Sequence, residues 1–476
     1  MVILSHKGNR RVANPGGRAR RRPRLETLES RLVLSNFFVA PTGSDSNNGS
    51  AEAPWLTLQH AANVVYPGDV VDARPGSYVG FVVPTSGTAG APIAFQAEAG
   101  AVIDRPVTRD GVTAGINALG TSFITISGFT IAAQPGDPAW TAGIRVGGIA
   151  PDQPAPNWAT GNVVAGNTVR LRAVPPGDTA TGGDRTGIFA DWQDGLQMLN
   201  NTVSGGWESG IAIASSSTNY AVRGNRIADV GGIGIRNDGV FGPFVPGINT
   251  NAAIEGNTIH DVGFGVGGPA IGADGLQDSV VRNNLVYDAH GTGLSFAMVN
   301  ASDGSKNDLV VNNTVVMAAD AAGAAFRVAK GPNTGLTVLN NIFLTRNADR
   351  NADGAYSYAI DATAGSTFDF NVVTNPVARH VSLKRWQQQG FDTHSIAVPS
   401  GTLATVFVDP AADDYHLAPG SPAIDAGTAT QAPATDLDGN PRPQGDGFDI
   451  GAYEFTVAVL PATEIGTAGR RKDWRG

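Results

Sequence analysis

"IEGNTIHDVG", residues 254–263, sets one asparagine, Asn257, among apolar residues. The phrase returns in altered form as "VVAGNTV", "MLNNTV", "AVRGNRI", "VVRNNLV", "VVNNTVV" and "VLNNIF". The recurring positions are Asn167, Asn201, Asn225, Asn257, Asn284, Asn313, Asn341 and Asn371, at steps of 34, 24, 32, 27, 29, 28 and 30 residues. A period in this range with variable gaps marks a repeat architecture whose loops absorb the variation. Each unit holds three short runs that alternate or are β-branched and are too short for helices, so they read as strands. Three strands per unit, no helix, and one unit stacked on the next predict an all-β, right-handed parallel β-helix.

The asparagine then has a physical task. A sharp corner between two strands needs a residue near the left-handed region, which Asn tolerates better than other non-glycine residues. Corners of successive rungs lie one strand spacing apart, about 4.8 Å. A side-chain amide both donates and accepts, so stacked asparagines can bond along the column. The preceding Gly166, Gly224 and Gly256 suit the same tight corner. "SGFTI" (127–131) puts Phe129 in the asparagine slot, and "VVDARPGSYV" and "IAFQAEAGAVI" read as still earlier rungs. About eleven rungs would give a rod on the order of 50 Å. Open ends need covers. "WLTLQHAANVV" (55–65) has helical spacing at Leu56, Leu58, Ala62 and Val65 and is expected to be an amphipathic N-terminal cap helix.

Composition agrees with this reading. Glycine is 62 of 476 residues, yet 41% of the chain is hydrophobic, which argues for a packed core. Only 16% is charged, as expected where repetitive sheet hides most of the chain. There is no cysteine, which excludes disulfides, thiolate metal sites and cysteine nucleophiles. Residues 1–31 carry nine Lys or Arg against two Glu, a net +7, so the rest holds −16 of the overall −9. An acidic body argues against nucleic acid as a partner. The basic run "RARRRPR" reads as an export or sorting segment. No stretch reaches the 18 or so apolar residues of a membrane helix. The expected divisions are a basic segment 1–35, a capped β-helix 36–410, a C-terminal cap 411–455 and a tail 456–476. A monomer is expected.

Two stretches carry family resemblances. The block from "FFVAPTGSDSNNGS" through "PGDVVDARPGSYVG" resembles the opening of secreted parallel β-helix proteins related to pectate lyases and other polysaccharide-acting enzymes. "SPAIDAGTATQAPATDLDGNPRPQGDGFDIGAYEF" (421–455) resembles the choice-of-anchor Q signature of bacterial surface β-helix proteins. Its matching positions are Ser421 to Gly427, then Asp436, Gly439, Arg442 and Asp449 to Glu454. "LKRWQQQGFDTHSI" (383–396) resembles an insertion of the same proteins. "LESRLVLS" (28–35) resembles a Leu-Glu-Pro-Arg-x-Leu-Leu-Ser surface-protein motif, departing at Ser30 and Val33. These resemblances imply the fold and a secreted or cell-surface setting. They imply no reaction, because the superfamily holds lyases, hydrolases, epimerases and adhesins.

In pectate-lyase-like proteins the substrate groove lies along the Gly-Ile strand. Aligning "GIFADWQDG", "GIAIASSST", "GIGIRNDGV", "PAIGADGLQD", "GLSFAMVNA" and "AAFRVAKGP" on that strand sets Asp191, Ala214, Arg236, Ala273 and Ala297 in one column, and Trp192, Ser215, Asn237, Asp274 and Met298 in the next. The candidate catalytic set is Asp191, Asp194, Arg236, Asp238 and Asp274. Candidate substrate-binding residues are Trp192, Trp207, Glu208, His290 and Lys330, with Trp158 as a further aromatic. A uronate lyase needs a cation beside the substrate carboxylate and a base, for which Arg236, Lys306, Lys330 or His290 are candidates. Ca²⁺ would suit the acidic residues. A glycoside hydrolase needs two opposed carboxylates, for which Asp191, Asp194 and Asp238 are candidates. The plainer reading makes "QDG", "NDG" and "ADG" ordinary turns. "DLDGN" (436–440) resembles the start of a Ca²⁺ loop but lacks the glycine and glutamate that an EF-hand needs. Three functions stay open: polysaccharide binding, with or without cleavage; a lyase or hydrolase on an acidic glycan; and a structural surface protein or adhesin.

Overall fold

The computed structural model describes residues 35–149, 158–173, 183–240, 246–265, 267–329, 331–347, 353–361 and 364–456. The basic N-terminal segment, Lys330, the middles of the loops at 172–185 and 240–250, and the tail from 457 lie outside the described residues.

The chain winds through three long sheets. The first runs from Asn36–Val39 to Thr367–Asp369 and the second from Gly76–Val79 to Ile396–Pro399, with twelve strands each among the described residues. The third begins at Phe81–Val82 and ends at Tyr358–Ile360, with one antiparallel strand, Val107–Arg109, at its side. All other neighbours in these sheets pair in parallel, each strand with its counterpart one rung away. This is the right-handed parallel β-helix expected from the repeat. Twelve strands at about 4.8 Å give a coil of roughly 53 Å. Inside it, Ile144, Ile188, Ile211, Ile235, Ile271 and Leu294 stack as one apolar column, all buried.

All eight predicted asparagines form one buried ladder. Each Nδ2 donates to the next rung's Oδ1, from Asn167 to Asn201 (3.1 Å) down to Asn341 to Asn371 (3.1 Å). Asn371 closes it by donating to Asp392 (2.9 Å), and Phe129 occupies the slot above Asn167. One expectation is corrected. The left-handed corner belongs to the residue before each ladder asparagine: Gly166, Asn200, Gly224, Gly256, Asn283, Asn312, Asn340 and Phe370 have φ of 52–65°. The two tasks conflict in one residue, because the corner turns its side chain outward while the ladder needs its amide inside.

That division gives the "NN" dipeptides a second meaning. Asn283, Asn312 and Asn340 point their amides at the C-terminal segment. Asn283 donates to Thr435 O (2.7 Å), Asn312 to Asp449 O and Gly451 O (3.0 Å each), and Asn340 to Thr428 O (2.7 Å). Over the same rungs the second sheet is apolar on both faces. Val286, Val315, Phe343 and Val373 face the core, while Leu285, Tyr287, Val316, Ile342 and Leu344 face outward. Val406, Phe407, Tyr415, Leu417, Ile450 and Ala452 cover that outer face. The C-terminal cap therefore has two parts. The helix Leu383–Gln387 brings Trp386 and Leu383 into the main core cluster, and residues 406–455 form a strap along the side.

The strap is locked by an ion pair, Arg442 to Glu454 (2.5 Å), with both side chains fully buried. Arg442 also donates to Gly451 O (2.9 Å). Asp436, the first residue of "DLDGN", accepts from the backbone of Asn440 (2.7 Å) and of Glu454 (3.0 Å), so this stretch is a turn of the strap. At the other end, the helix Leu58–Val64 starts at Thr57 and buries Leu58, Ala61 and Ala62. Leu56, expected on its apolar face, lies before the helix and is exposed.

Candidate functional site

The third sheet alternates between core and surface. Its outward column reads Asn117, Arg145, Phe189, Ala212, Arg236, Gly272, Ser295 and Arg327 in strand register. Two residues further along the strands the column reads Gly147, Asp191, Ala214, Asp238, Asp274 and Ala297. The sequence alignment is corrected here. "GGIGIRND" holds two Gly-Ile pairs, and Gly234-Ile235, not Gly232-Ile233, aligns with Gly210-Ile211. In "PAIGADGLQD" the register is one residue further on, so Asp274 and not Ala273 aligns with Ala297. Asp191, Asp238 and Asp274 share a column, and Arg236 sits in the neighbouring one. Asn237 turns inward, where it accepts from Tyr220 Oη (2.8 Å).

Each carboxylate has a defined partner. Asp191, 9% exposed, accepts from Arg145 Nη2 (2.6 Å), whose guanidinium lies 4.1 Å from the centre of the Phe189 ring. Burial raises the Asp191 pKa, and Arg145 opposes that rise. Arg236 donates through Nη1 to Glu208 (2.7 Å) and through Nε and Nη2 to Asp238. Burial works against its charge, but Asp238 and Glu208 outweigh burial and its pKa is raised. Arg236 is thereby held protonated and is poorly suited to act as a base. Glu208 also pairs with Arg185 (2.7 Å). Asp274 ties down a loop by accepting from the backbone N–H of Val299 (2.7 Å) and Asn300 (2.6 Å). Burial raises its pKa; these backbone bonds lower it and Asp238 adds to the rise. Asn300 Nδ2 reaches Asp238 (3.2 Å). The other Asp238 oxygen, Oδ1, is buried without a partner among the described residues.

Arg236, Asp238, Asp274 and Asn300 line a cavity of about 230 Å³, which Asp191, Arg145 and Glu208 do not reach. Arg236 stands at one end and Arg327 at the other, three strand steps away, with Gly272 and Ser295 between them. Val299 on the rim is 76% exposed. Arg327 makes no ion pair among the described residues. Arg145 and Arg327 were missed at the sequence level, although a common signal was present. Gly143-Ile144-Arg145, Gly234-Ile235-Arg236 and Ala325-Phe326-Arg327 place Arg at the same point of their strands.

The other candidates lie apart. Asp194 belongs to a short strand beyond the corner and accepts from Asn219 (2.8 Å). Trp192 sits at a positive-φ corner (φ 50°) and is 9% exposed, so it offers little surface for stacking. Trp207 is half-buried, with Arg185 5.9 Å from its ring centre. Lys306 pairs with Asp303 (2.5 Å). His290 faces a different, larger cavity and bonds Asp320 (2.6 Å). Among the described residues no three His, Asp or Glu side chains converge to ligate a metal ion.

Comparison with known proteins agrees with the fold. The family model "Right handed beta helix region" matches residues 186–376. Among solved structures, the crystal structure of pectate lyase Pel9A superposes with a TM-score of 0.59 at 17% identity, covering 89% of this chain and 98% of that one. The uncharacterized protein YwoF of Bacillus subtilis (strain 168) is 43% identical over 61 residues. That match spans 13% of each chain. The fold so defined is a right-handed parallel β-helix, similar to that of pectate lyase Pel9A. No helix among the described residues is long and apolar enough to cross a membrane.

Proposed function

We propose that this protein binds an acidic polysaccharide in the trough between Arg236 and Arg327. The observation that carries the reading is the charge balance of the site. Asp191, Asp238, Glu208 and Asp274 are each engaged by an arginine or by backbone N–H groups, whereas Arg327 has no ion-pair partner among the described residues. A free guanidinium above a floor of Gly272 and Ser295 suits a carboxylate or sulfate on a flat sugar chain. Hydrolysis would need two opposed carboxylates free to act, so binding is favoured over hydrolysis. The similarity in fold to a pectate lyase supports a glycan as the ligand class.

We further propose a secreted or cell-surface setting, as the resemblances at 28–35 and 421–455 imply, and a monomer. Residues 1–35 would serve export or sorting, 36–410 form the capped β-helix, 411–455 act as a choice-of-anchor Q module, and 456–476 form a tail. The test is affinity electrophoresis of the full chain through gels containing polygalacturonate, alginate or a neutral glucan. Retardation by a uronate polymer should weaken with salt and fall with Arg327→Ala. Loss of one charge-assisted contact of about 1.5–3 kcal/mol corresponds to roughly a ten- to hundredfold rise in Kd. Unchanged retardation in Arg327→Ala would overturn the reading. Release of unsaturated uronate ends would instead make the protein a lyase.

A further inference from the structure

A second, wider concavity lies at the turn between the second and third sheets, outside the arginine trough. It holds about 920 Å³. Its lining draws on six successive rungs, from Leu171 through Ser204, Asp229, Asp261 and His290 to Asp320. Five strand spacings make it roughly 24 Å long, enough for several sugar rings laid along the coil.

Its chemistry is the reverse of the first site. No lysine or arginine is found among its described lining residues, while Asp229, Asp261 and Asp320 are. Asp229 and Asp261 take the same left-handed corner in adjacent rungs (φ 56° and 49°), as the pairing of Val230 with Val262 requires. Their backbone positions therefore follow one another along the groove at about one strand spacing, and Asp261 also bonds His260 Nδ1 (2.8 Å). Glycines let neighbouring backbone segments of the floor approach closely. A Cβ on Gly205 would lie 2.2 Å from Leu171 O, and one on Gly263 would lie 2.8 Å from Gly268 O. Above that floor stands a half-buried aromatic ring, Phe264, edge-on to His290 with centroids 6.1 Å apart. Asp320 holds His290 through Nδ1 (2.6 Å), which leaves Nε2 without a hydrogen-bond partner among the described residues.

We infer that this groove is a second carbohydrate site, taking a neutral polysaccharide. Carboxylates accept from sugar hydroxyls, and a phenyl ring packs against the C–H face of a pyranose. Three aspartates with no lysine or arginine among the described lining residues disfavour a polyuronate, so the two sites would sort glycans by charge. Such a protein would bridge an acidic and a neutral polymer.

The experiment is calorimetric titration of the full chain with hexasaccharides of β-1,4-linked glucose, mannose and xylose, with a chitosan hexamer and with polygalacturonate. Phe264→Ala, Asp229→Asn and Arg327→Ala are compared with the parent. Asp229 is exposed, and its substitution is close to isosteric, so that variant tests the groove without threatening the fold. At least one neutral hexasaccharide should bind, tenfold or more weakly in Phe264→Ala and measurably more weakly in Asp229→Asn, with Arg327→Ala unchanged. Polygalacturonate should show the opposite dependence, so each site can fail without the other. The inference is overturned if no neutral hexasaccharide binds, if only the amine-bearing chitosan binds, if either groove variant leaves binding unchanged, or if Arg327→Ala weakens it.

Discussion

Asn200 and Asn201 adjoin in the sequence and do different work, so substituting them separately tests the ladder directly. Asn201 Oδ1 accepts from the backbone N–H and the side chain of Asn167 (3.0 and 3.1 Å). Its Nδ2 donates to Val164 O (2.8 Å) and to Asn225 Oδ1 (3.0 Å). Asn201→Ala removes all four bonds at a buried position. At about 1 kcal/mol net for each, the loss is roughly 4 kcal/mol, and the buried Asn167 N–H left without its acceptor adds about 1–3 kcal/mol. Asn200 instead supplies a left-handed corner (φ 53°) with an exposed side chain. Asn200→Gly keeps that conformation and should shift stability by less than about 1 kcal/mol. Urea unfolding of the full chain, followed by far-ultraviolet circular dichroism, would compare the two. Because each rung contacts only its neighbours, hydrogen exchange should rise first at 163–165 and 221–223, the strands flanking Gln197–Leu199. Equal shifts for the two variants, or a loss below 1 kcal/mol for Asn201→Ala, would refute the separation of ladder from corner.

The strap offers two more predictions. Glu454→Gln leaves Arg442 charged in a site where both side chains have no exposure, which should cost about 3–5 kcal/mol. Proteolysis should then cut within 406–455 before the coil opens, and uniform unfolding would contradict this. The strap should also loosen as pH rises from 5 to 8. His416 lies between Asp414 (2.6 Å) and Asp438 (2.8 Å). Burial lowers its pKa, but these carboxylates outweigh burial and raise it. Its charged form therefore adds stability that is complete below its unfolded pKa and is lost as pH climbs through the folded value. Burial pushes Asp449 up to about 6, so its neutral form is favoured on folding and that contribution is lost over pH 4 to 6. Both act in one direction, and hydrogen exchange in the strap, corrected for intrinsic rates, should show protection falling with pH. Protection that rises would contradict the assignment.

The repeat was legible because its causes are local. Asn257 and its counterparts recur on a period, the runs beside them alternate, and each rung repeats the same short-range geometry. From these the coil, the ladder residues and the cap helix near Leu58 followed without reference to distant parts of the chain. Which residue of "EGN" or "RNN" takes the corner was not legible, because glycine and asparagine both tolerate it. The sequence by itself determined the repeat, the coil and the ladder residues. Only the tertiary structure decided what meets what on the outside. Strand alternation defines a face but not the offset between rungs, and that offset set Arg236 beside Glu208 and left Arg327 without an ion pair among the described residues. The strap depends on contacts between residues far apart in the chain, such as Asn283 with Thr435 and Asn312 with Asp449, separated by 152 and 137 residues. A periodic sequence carries no mark of which of its equivalent outer faces a distant segment will cover, because that choice is made by the summed burial of Leu285, Val316, Ile342 and Leu344 against it.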